Sequence, residues 1–214
     1  PIILKDILFG DVWICSGQSN MAFLLEHAFN GSKYVNASNQ YKNLRMFTSF
    51  KNNSTKPLHE QPAIEENWTI SSPSGVSQDI SKNGKTTFSS ALDDNWLYMS
   101  AVCYLFGVEI LKHTKYPIGL VNTNWGGTKV EFWSSAESLA SCSDDGSKDN
   151  ISNGGAYNGM ISPLLNMTLY GAIWYQGESN SGDALTHIDP YGFPMAKYGC
   201  TFPAMINDWR KKFN

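Results

Sequence analysis

Apolar runs that end in short, glycine-bearing polar loops recur along this chain. Val12-Trp13-Ile14-Cys15 stops at Ser16-Gly17, presents Gln18-Ser19-Asn20, and passes into residues 21–29, which read as a helix-like stretch. Pro117-Ile118-Gly119-Leu120-Val121-Asn122-Thr123-Asn124-Trp125 is followed by Gly126-Gly127-Thr128. Leu169-Tyr170-Gly171-Ala172-Ile173-Trp174-Tyr175 is followed by Gln176-Gly177-Glu178-Ser179-Asn180. Short continuous apolar runs bounded by turn residues are the pattern of strands buried on both faces. Residues 12–15, 118–123 and 172–175 are therefore expected to be parallel neighbours in one α/β sheet. Their loops would collect at its carboxyl edge, where such sheets bind ligands.

Between the strands the period changes. Asp93-Asp94 can cap a helix over residues 95–114, where Trp96, Met99, Cys103, Phe106 and Ile110 recur at spacings of three and four. Ala101, Val102 and Leu105 widen that stripe, and Pro117 ends it. A second amphipathic helix is predicted over residues 202–213, with Pro203 in its first turn and Arg210-Lys211-Lys212 at its carboxyl end. Residues 48–92 and 141–155 show no sustained period and read as long surface loops, the first pinned by Trp68 and Phe88. Neither an internal repeat nor a second domain boundary is visible, so residues 1–214 are expected to form one domain.

Chemistry concentrates at Ser19. A serine at a sharp strand-to-helix turn has its hydroxyl held at the sheet edge, beside backbone N–H groups that can stabilise an oxyanion. The same position also suits a serine that merely caps the helix. Spacing alone leaves both readings open.

The motifs around the three loops carry a family resemblance. Gly17-Gln18-Ser19-Asn20-Met21, Trp125-Gly126-Gly127-Thr128 and Trp174-Tyr175-Gln176-Gly177-Glu178-Ser179-Asn180 resemble the sialate O-acetylesterase family of the SGNH (GDSL-like) hydrolases. Phe9-Gly10-Asp11-Val12-Trp13, Tyr157-Asn158-Gly159-Met160-Ile161-Ser162-Pro163-Leu164 and the segment from Cys200 to Arg210 also fit. The likeness runs from about Phe9 to Phe213 and is loosest over residues 30–90.

This resemblance implies a three-layer α/β/α, flavodoxin-like fold with a mainly parallel sheet. It also implies a serine carboxylesterase that removes O-acetyl groups from sialic acids, with no metal and no organic cofactor. Ser19 matches the nucleophile. The backbone of Ser19 and of Gly126 or Gly127, with the Gln176 side chain, matches the oxyanion hole. Gln18, Asn20 and Glu178 fall among the residues that support the site. The family's histidine and aspartate lie in an Asp-x-x-His block, and no such spacing occurs in these 214 residues. The fold is accordingly expected to be incomplete at the C-terminus, with the catalytic pair beyond Asn214 and the isolated chain a poor esterase. Readings from other classes are a non-catalytic carbohydrate-binding form and an esterase acting on another acetylated sugar.

The remaining titratable residues fit scaffold roles. His27 is placed about two turns beyond Ser19, His59 in a polar loop, and His113 in the last turn of the long helix. His187 follows the Gln-Gly-Glu loop among acidic neighbours and is the one histidine that sequence order brings near the site. Glu178 could be a glycosidase acid if a second carboxylate stood about 5–9.5 Å away; more simply, it orders the loops through backbone N–H groups. Ser141 to Asp149 is acidic but lacks the ordered spacing of a calcium loop.

Composition narrows the partners. Charged residues make up 16% and the formal net charge is −3, which gives no footing for nucleic acid. No apolar run approaches the roughly 20 residues of a membrane span, and residues 1–6 lack the charged-then-apolar order of a signal peptide, so any targeting segment is expected upstream or removed. Asn-x-Ser/Thr occurs at Asn30, Asn36, Asn52, Asn53, Asn67, Asn150 and Asn166. With four cysteines allowing three pairings, a secretory, lysosomal or extracellular setting is expected. The three pairings stay open; if Cys142 and Cys200, in polar surroundings, are bridged, their Cα atoms must lie within about 4.4–6.8 Å. Cys15 and Cys103 sit in apolar runs typical of buried thiols.

Overall fold

The computed structural model describes residues 3, 5–77, 99–142, 154–181 and 198–213. Its strands are β1 (Asp11–Gly17), β2 (Leu44–Ser49), β3 (Ile64–Ile70), β4 (Ile118–Asn124) and β5 (Gly171–Tyr175). They form one sheet in the order β3-β2-β4-β1-β5. β1 lies between β4 and β5 and is parallel to both, with Cys15 in register with Asn122 on one side and Ile173 on the other. β2 continues the parallel set beyond β4, and β3 closes that edge antiparallel. The three predicted strands are thus neighbours, as their loops require.

Alternate side chains of the central strands enter two separate cores. Cys15, Leu44, Met46, Ile118 and Leu120 face one side, while Ile14, Phe47 and Val121 face the other. Burial on both faces is why these strands read as apolar runs rather than alternating ones. A side chain such as Leu120, fully removed from solvent, contributes about 2 kcal/mol. The helices are α1 (Ser19–Ala22), α2 (Gly31–Ala37), α3 (Pro73–Val76), α4 (Ala101–Thr114), α5 (Ala136–Ala140) and α6 (Tyr198–Lys212). Cys103, Tyr104 and Val108 of α4 fill the first core; Met205 and Trp209 of α6 fill the second, with Trp133, Met160 and Ile161. The result is the expected three-layer α/β/α arrangement. No helix among the described residues is long and apolar enough to cross a membrane.

Several expectations are corrected. The helix predicted over 95–114 begins at Ala101, because Ser100 accepts from the Cys103 N–H at 3.1 Å and caps it. Asp93-Asp94 lie outside the described residues. Pro203 falls in the second turn of α6, which starts earlier, at Tyr198. The stretch 21–29 is not one helix. Phe23 turns extended (ψ 123°), its carbonyl accepts from Ala101 N–H at 2.8 Å, and Leu24 bridges Ser100. Tertiary hydrogen bonds to the start of α4 outcompete continued helix there.

The supposed loop over 48–92 contains the end of β2, all of β3 and α3. β3 escaped notice because Glu65, Glu66 and Asn67 occupy an edge strand, where polar side chains discourage further pairing. Trp68 does pack there, 5.7 Å from the Phe47 ring, whereas Phe88 is outside the described residues. Of the loop expected over 141–155, residues 143–153 are likewise outside, and Gly154 and Gly155 are buried.

Both cysteine pairs are bridged. Cys142–Cys200 joins the end of α5 to α6, with Cα atoms 5.8 Å apart, inside the range a bridge requires. Cys15 and Cys103 are not thiols: they form a second disulfide between β1 and α4, also at 5.8 Å. Their apolar setting reflects the sheet–helix interface that the bridge crosses.

Candidate active site

Three loops meet at the carboxyl ends of β1, β4 and β5. The first is built on Gly17, whose φ of 145° lies where side-chain-bearing residues are rarely found. It turns the chain so that Gln18 N–H reaches the Tyr175 carbonyl at 3.0 Å while the Gly17 carbonyl accepts from Trp125 N–H at 3.0 Å. One glycine therefore ties the serine turn to both neighbouring loops.

Ser19 is the first residue of α1 and Gln18 holds the cap position, without a capping hydrogen bond from its side chain. The capping reading of Ser19 is thereby removed. Ser19 is half-buried, at the helix start where backbone N–H groups lack intrahelical acceptors. Among the described residues no side-chain hydrogen bond engages its hydroxyl.

Gln176 links the loops. Its Nε2 lies 3.1 Å from Gln18 Oε1, 3.1 Å from the Thr128 carbonyl and 2.7 Å from Asn180 Oδ1. Gln18 is only 3% exposed, and its Oε1 also accepts from Ser179 N–H at 3.1 Å. The Gln176 amide nitrogen has two hydrogens facing three acceptors, so in this arrangement it braces the site. Among the described residues, Glu178 does not reach the backbone N–H groups expected of it. It is exposed and accepts instead from the Asn20 side-chain amide, so the two predicted supporting residues join the first and third loops directly. In the second loop, Gly126 is half-buried and Gly127 exposed with φ 74°. Thr128 Oγ1 donates to the Trp125 carbonyl at 2.7 Å and accepts from the Trp133 indole at 2.8 Å, which holds that loop against the core.

Two residues that the sequence reading passed over complete the network. Asn180 (8% exposed) accepts from Val130 N–H at 2.9 Å and donates to Glu131 Oε2 at 2.9 Å. Glu131, also 8% exposed, lies on the 3-10 turn Val130–Trp133. Its signal was a lone carboxylate inside Val130-Glu131-Phe132-Trp133, directly after a glycine loop. Nearby, burial pushes the Lys129 ammonium pKa down, opposed by the charge of Glu131.

The three histidines among the described residues lie on other elements. His27 ends the 3-10 turn Leu25–His27, with Nε2 3.8 Å from Glu26 Oε1. His59 is exposed between β2 and β3, and His113 is exposed in the last turn of α4. His187 is outside the described residues. Among those residues, no group of three or more His, Cys, Asp or Glu is placed to hold a metal ion.

A family model described as carbohydrate esterase, sialic acid-specific acetylesterase matches residues 9–214. Sialate O-acetylesterase of Homo sapiens is 36% identical over 219 residues, covering 99% of this chain and 37% of that protein. The Mus musculus protein of the same name is 32% identical over 245 residues, covering 99% of this chain and 41% of its own length. A carbohydrate acetylesterase from Xanthomonas citri of known crystal structure superposes with a TM-score of 0.72 at 33% identity, covering 95% of this chain and 38% of that one. An Arabidopsis thaliana protein at 16% identity and TM-score 0.50, covering 96% of this chain and 69% of that one, shares the fold. The chain spans about two fifths of the length of these curated relatives. With its serine turn, glycine loop and Gln-Gly-Glu loop gathered at one sheet edge, the chain belongs to the sialic acid-specific acetylesterase family of carbohydrate esterases.

Proposed function

We propose that this chain carries the nucleophile and oxyanion site of a serine esterase that removes O-acetyl groups from sialic acids. The observation that carries the reading is the convergence of the Ser19, Gly126-Gly127 and Gln176 loops at the ends of three adjacent parallel strands. Ser19 Oγ attacks the acetyl carbonyl carbon, forming an acetyl-enzyme and releasing the sugar hydroxyl. Water then hydrolyses that ester and regenerates the serine. The N–H groups of Ser19 and of Gly126 or Gly127 hold the oxyanion. Gln176 joins them by exchanging one of its three bracing contacts for the oxyanion. Gln18, Asn20 and Glu178 keep the loops in register. The chemistry calls for no metal or organic cofactor.

A base must take the serine proton, and the family's Asp-x-x-His spacing is absent from this sequence. The proposal therefore assigns the base to an Asp-x-x-His segment outside these 214 residues. The unengaged Ser19 hydroxyl keeps one second reading in play, a sugar-binding form without turnover. Acetate release from O-acetylated sialic acid and from acetylated xylan separates the two, measured for the 214-residue chain and for a chain extended through such a segment. We expect the extended chain to be active, the short chain to retain only residual turnover, and Ser19→Ala to abolish activity. Full activity in Ser19→Ala would overturn the nucleophile, and full activity in the short chain would redirect attention to His187.

The same reading places the protein in the secretory pathway, lysosomal or extracellular. Two disulfides fit an oxidising compartment. Sequon residues Asn30, Asn36, Asn53, Asn67 and Asn166 are exposed, as glycan acceptors must be. Glycan mapping of protein from its native source tests this, and uniformly bare sequons would count against it.

A further inference from the structure

We infer that Glu131 is a positioning residue: it sets the donor–acceptor polarity of the amide network that holds the Ser19 turn against the other two loops. The inference rests on the esterase reading for its catalytic consequence, but not for its geometry.

An Asn or Gln amide is nearly the same shape after a half-turn, and only its partners decide which end is oxygen. Asn180 has three partners. Val130 N–H and Gln176 Nε2 are donors, at 2.9 and 2.7 Å, and both sit at its Oδ1. Glu131 Oε2 is the acceptor at 2.9 Å from its Nδ2. Because Asn180 presents oxygen to Gln176, Gln176 must present nitrogen, and Gln18 must in turn present oxygen, which it does at 3.1 Å. Asn180 thus donates to Glu131 and accepts from Gln176, and Gln176 Nε2 donates on both sides, to Asn180 and to Gln18, the residue before Ser19.

Glu131 occupies this place at a cost to burial. Its Oε1 is buried and has no hydrogen-bond partner among the described residues, and buried polar atoms are rarely left so. A carboxyl group is retained where its other oxygen performs a task that an apolar residue cannot. Without it, Asn180 Nδ2 loses its acceptor, and only Val130 N–H and Gln176 Nε2 still oppose a half-turn that would set donor against donor. One lost acceptor thus loosens an amide that makes three contacts.

The test reads the network directly, with solvent exchange of the Gln176 side-chain N–H protons measured by NMR on the full 214-residue chain. Glu131→Leu is expected to speed that exchange about tenfold or more, the effect of losing one buried hydrogen bond. Glu131→Gln, which can still present oxygen to Asn180, should stay within about twofold. Asn180→Asp sets two carboxyl groups face to face and should speed exchange at neutral pH. The double variant Asn180→Asp/Glu131→Gln restores a donor–acceptor pair with reversed polarity and should bring exchange back. If Glu131→Leu fails to fold, the Asn180→Asp pair decides. In the ester-hydrolysing form, the variants that speed exchange should lower kcat with little change in KM, and the double variant should recover it. Ser19→Ala should leave Gln176 exchange unchanged, so failure of the esterase reading is distinguishable from failure of this one. Unchanged exchange in Glu131→Leu, or no recovery in the double variant, would overturn the inference.

Discussion

Replacing Gly17 with alanine probes whether the serine turn is set by steric closeness rather than by backbone flexibility. A Cβ at Gly17 would stand 2.1 Å from the Tyr175 carbonyl oxygen, and φ there is +145°. Side-chain carbons do not approach closer than about 3.0 Å, so the turn and β5 must part by about 1 Å. That movement breaks the 3.0 Å hydrogen bond from Gln18 N–H to Tyr175. Backbone strain of about 1–3 kcal/mol and the lost bond, about 1 kcal/mol, together lower stability by about 2–4 kcal/mol. For a chain of this size that corresponds to a fall in Tm of about 4–16 °C. Gly127→Ala is the matched control, with φ +74° and nothing within 4 Å of its Cβ. It carries strain of about 1–2 kcal/mol alone. Calorimetric melting of both variants is the assay. Under the proposed esterase reading, a 1 Å displacement beside Ser19 should also reduce turnover about 10²-fold for Gly17→Ala. Equal Tm losses in the two variants would refute the steric argument.

Other expectations concern the two disulfides and the edge strand. Cys15 and Cys103 are 0% exposed, while Cys142 is half-buried and Cys200 exposed, so graded reduction with alkylation and mass mapping should open Cys142–Cys200 first. Labelling of Cys15 before Cys200 would contradict this. The Cys15–Cys103 bridge spans 88 residues, and its removal as Cys15→Ala/Cys103→Ala should lower stability on the order of 4 kcal/mol by loop entropy, read as denaturant midpoint. Burial, and secondarily the neighbouring Glu65, pushes the Glu66 carboxyl pKa from 4.5 up to about 7. A raised folded-state pKa means that the protonated group's contribution is complete below about 4.5 and lost as pH rises through about 7. Glu66→Gln, which mimics the protonated form, should therefore match the parent's Tm near pH 4.5 and exceed it at pH 8. Discounted for partial exposure, the gain is on the order of 1–2 kcal/mol; a constant difference across that range would count against it.

How much of this protein was legible in its sequence depended on whether the signal was local. Residues 12–15, 118–123 and 172–175 announced themselves because strands buried on both faces must be apolar without interruption. Each was followed by a glycine loop, and the order of strands along the sheet then brought the loops together. Ser19 stood out by its strand-to-helix turn, whereas Gln18, Asn20, Gly126, Gly127, Gln176 and Glu178 were singled out by the family resemblance of those loops. The sequence could not show that Gln18 rather than Ser19 takes the cap position, since that depends on where β5 presents its Tyr175 carbonyl. Nor could it show that residues 21–29 break their helix to pair with Ser100, or that polar Glu65-Glu66-Asn67 belong to an edge strand. Local preference in such stretches is weak and distant hydrogen bonds overrule it. Cys15 and Cys103 read as buried thiols for the same reason: apolar neighbours reveal depth, not the partner across an interface. The Glu131–Asn180 contact joins residues 49 positions apart, and only the packing of the 3-10 turn beneath the third loop decides that they meet. Periodicity is written residue by residue along the chain, whereas the polarity of a buried network exists only once the sheet has brought its members together.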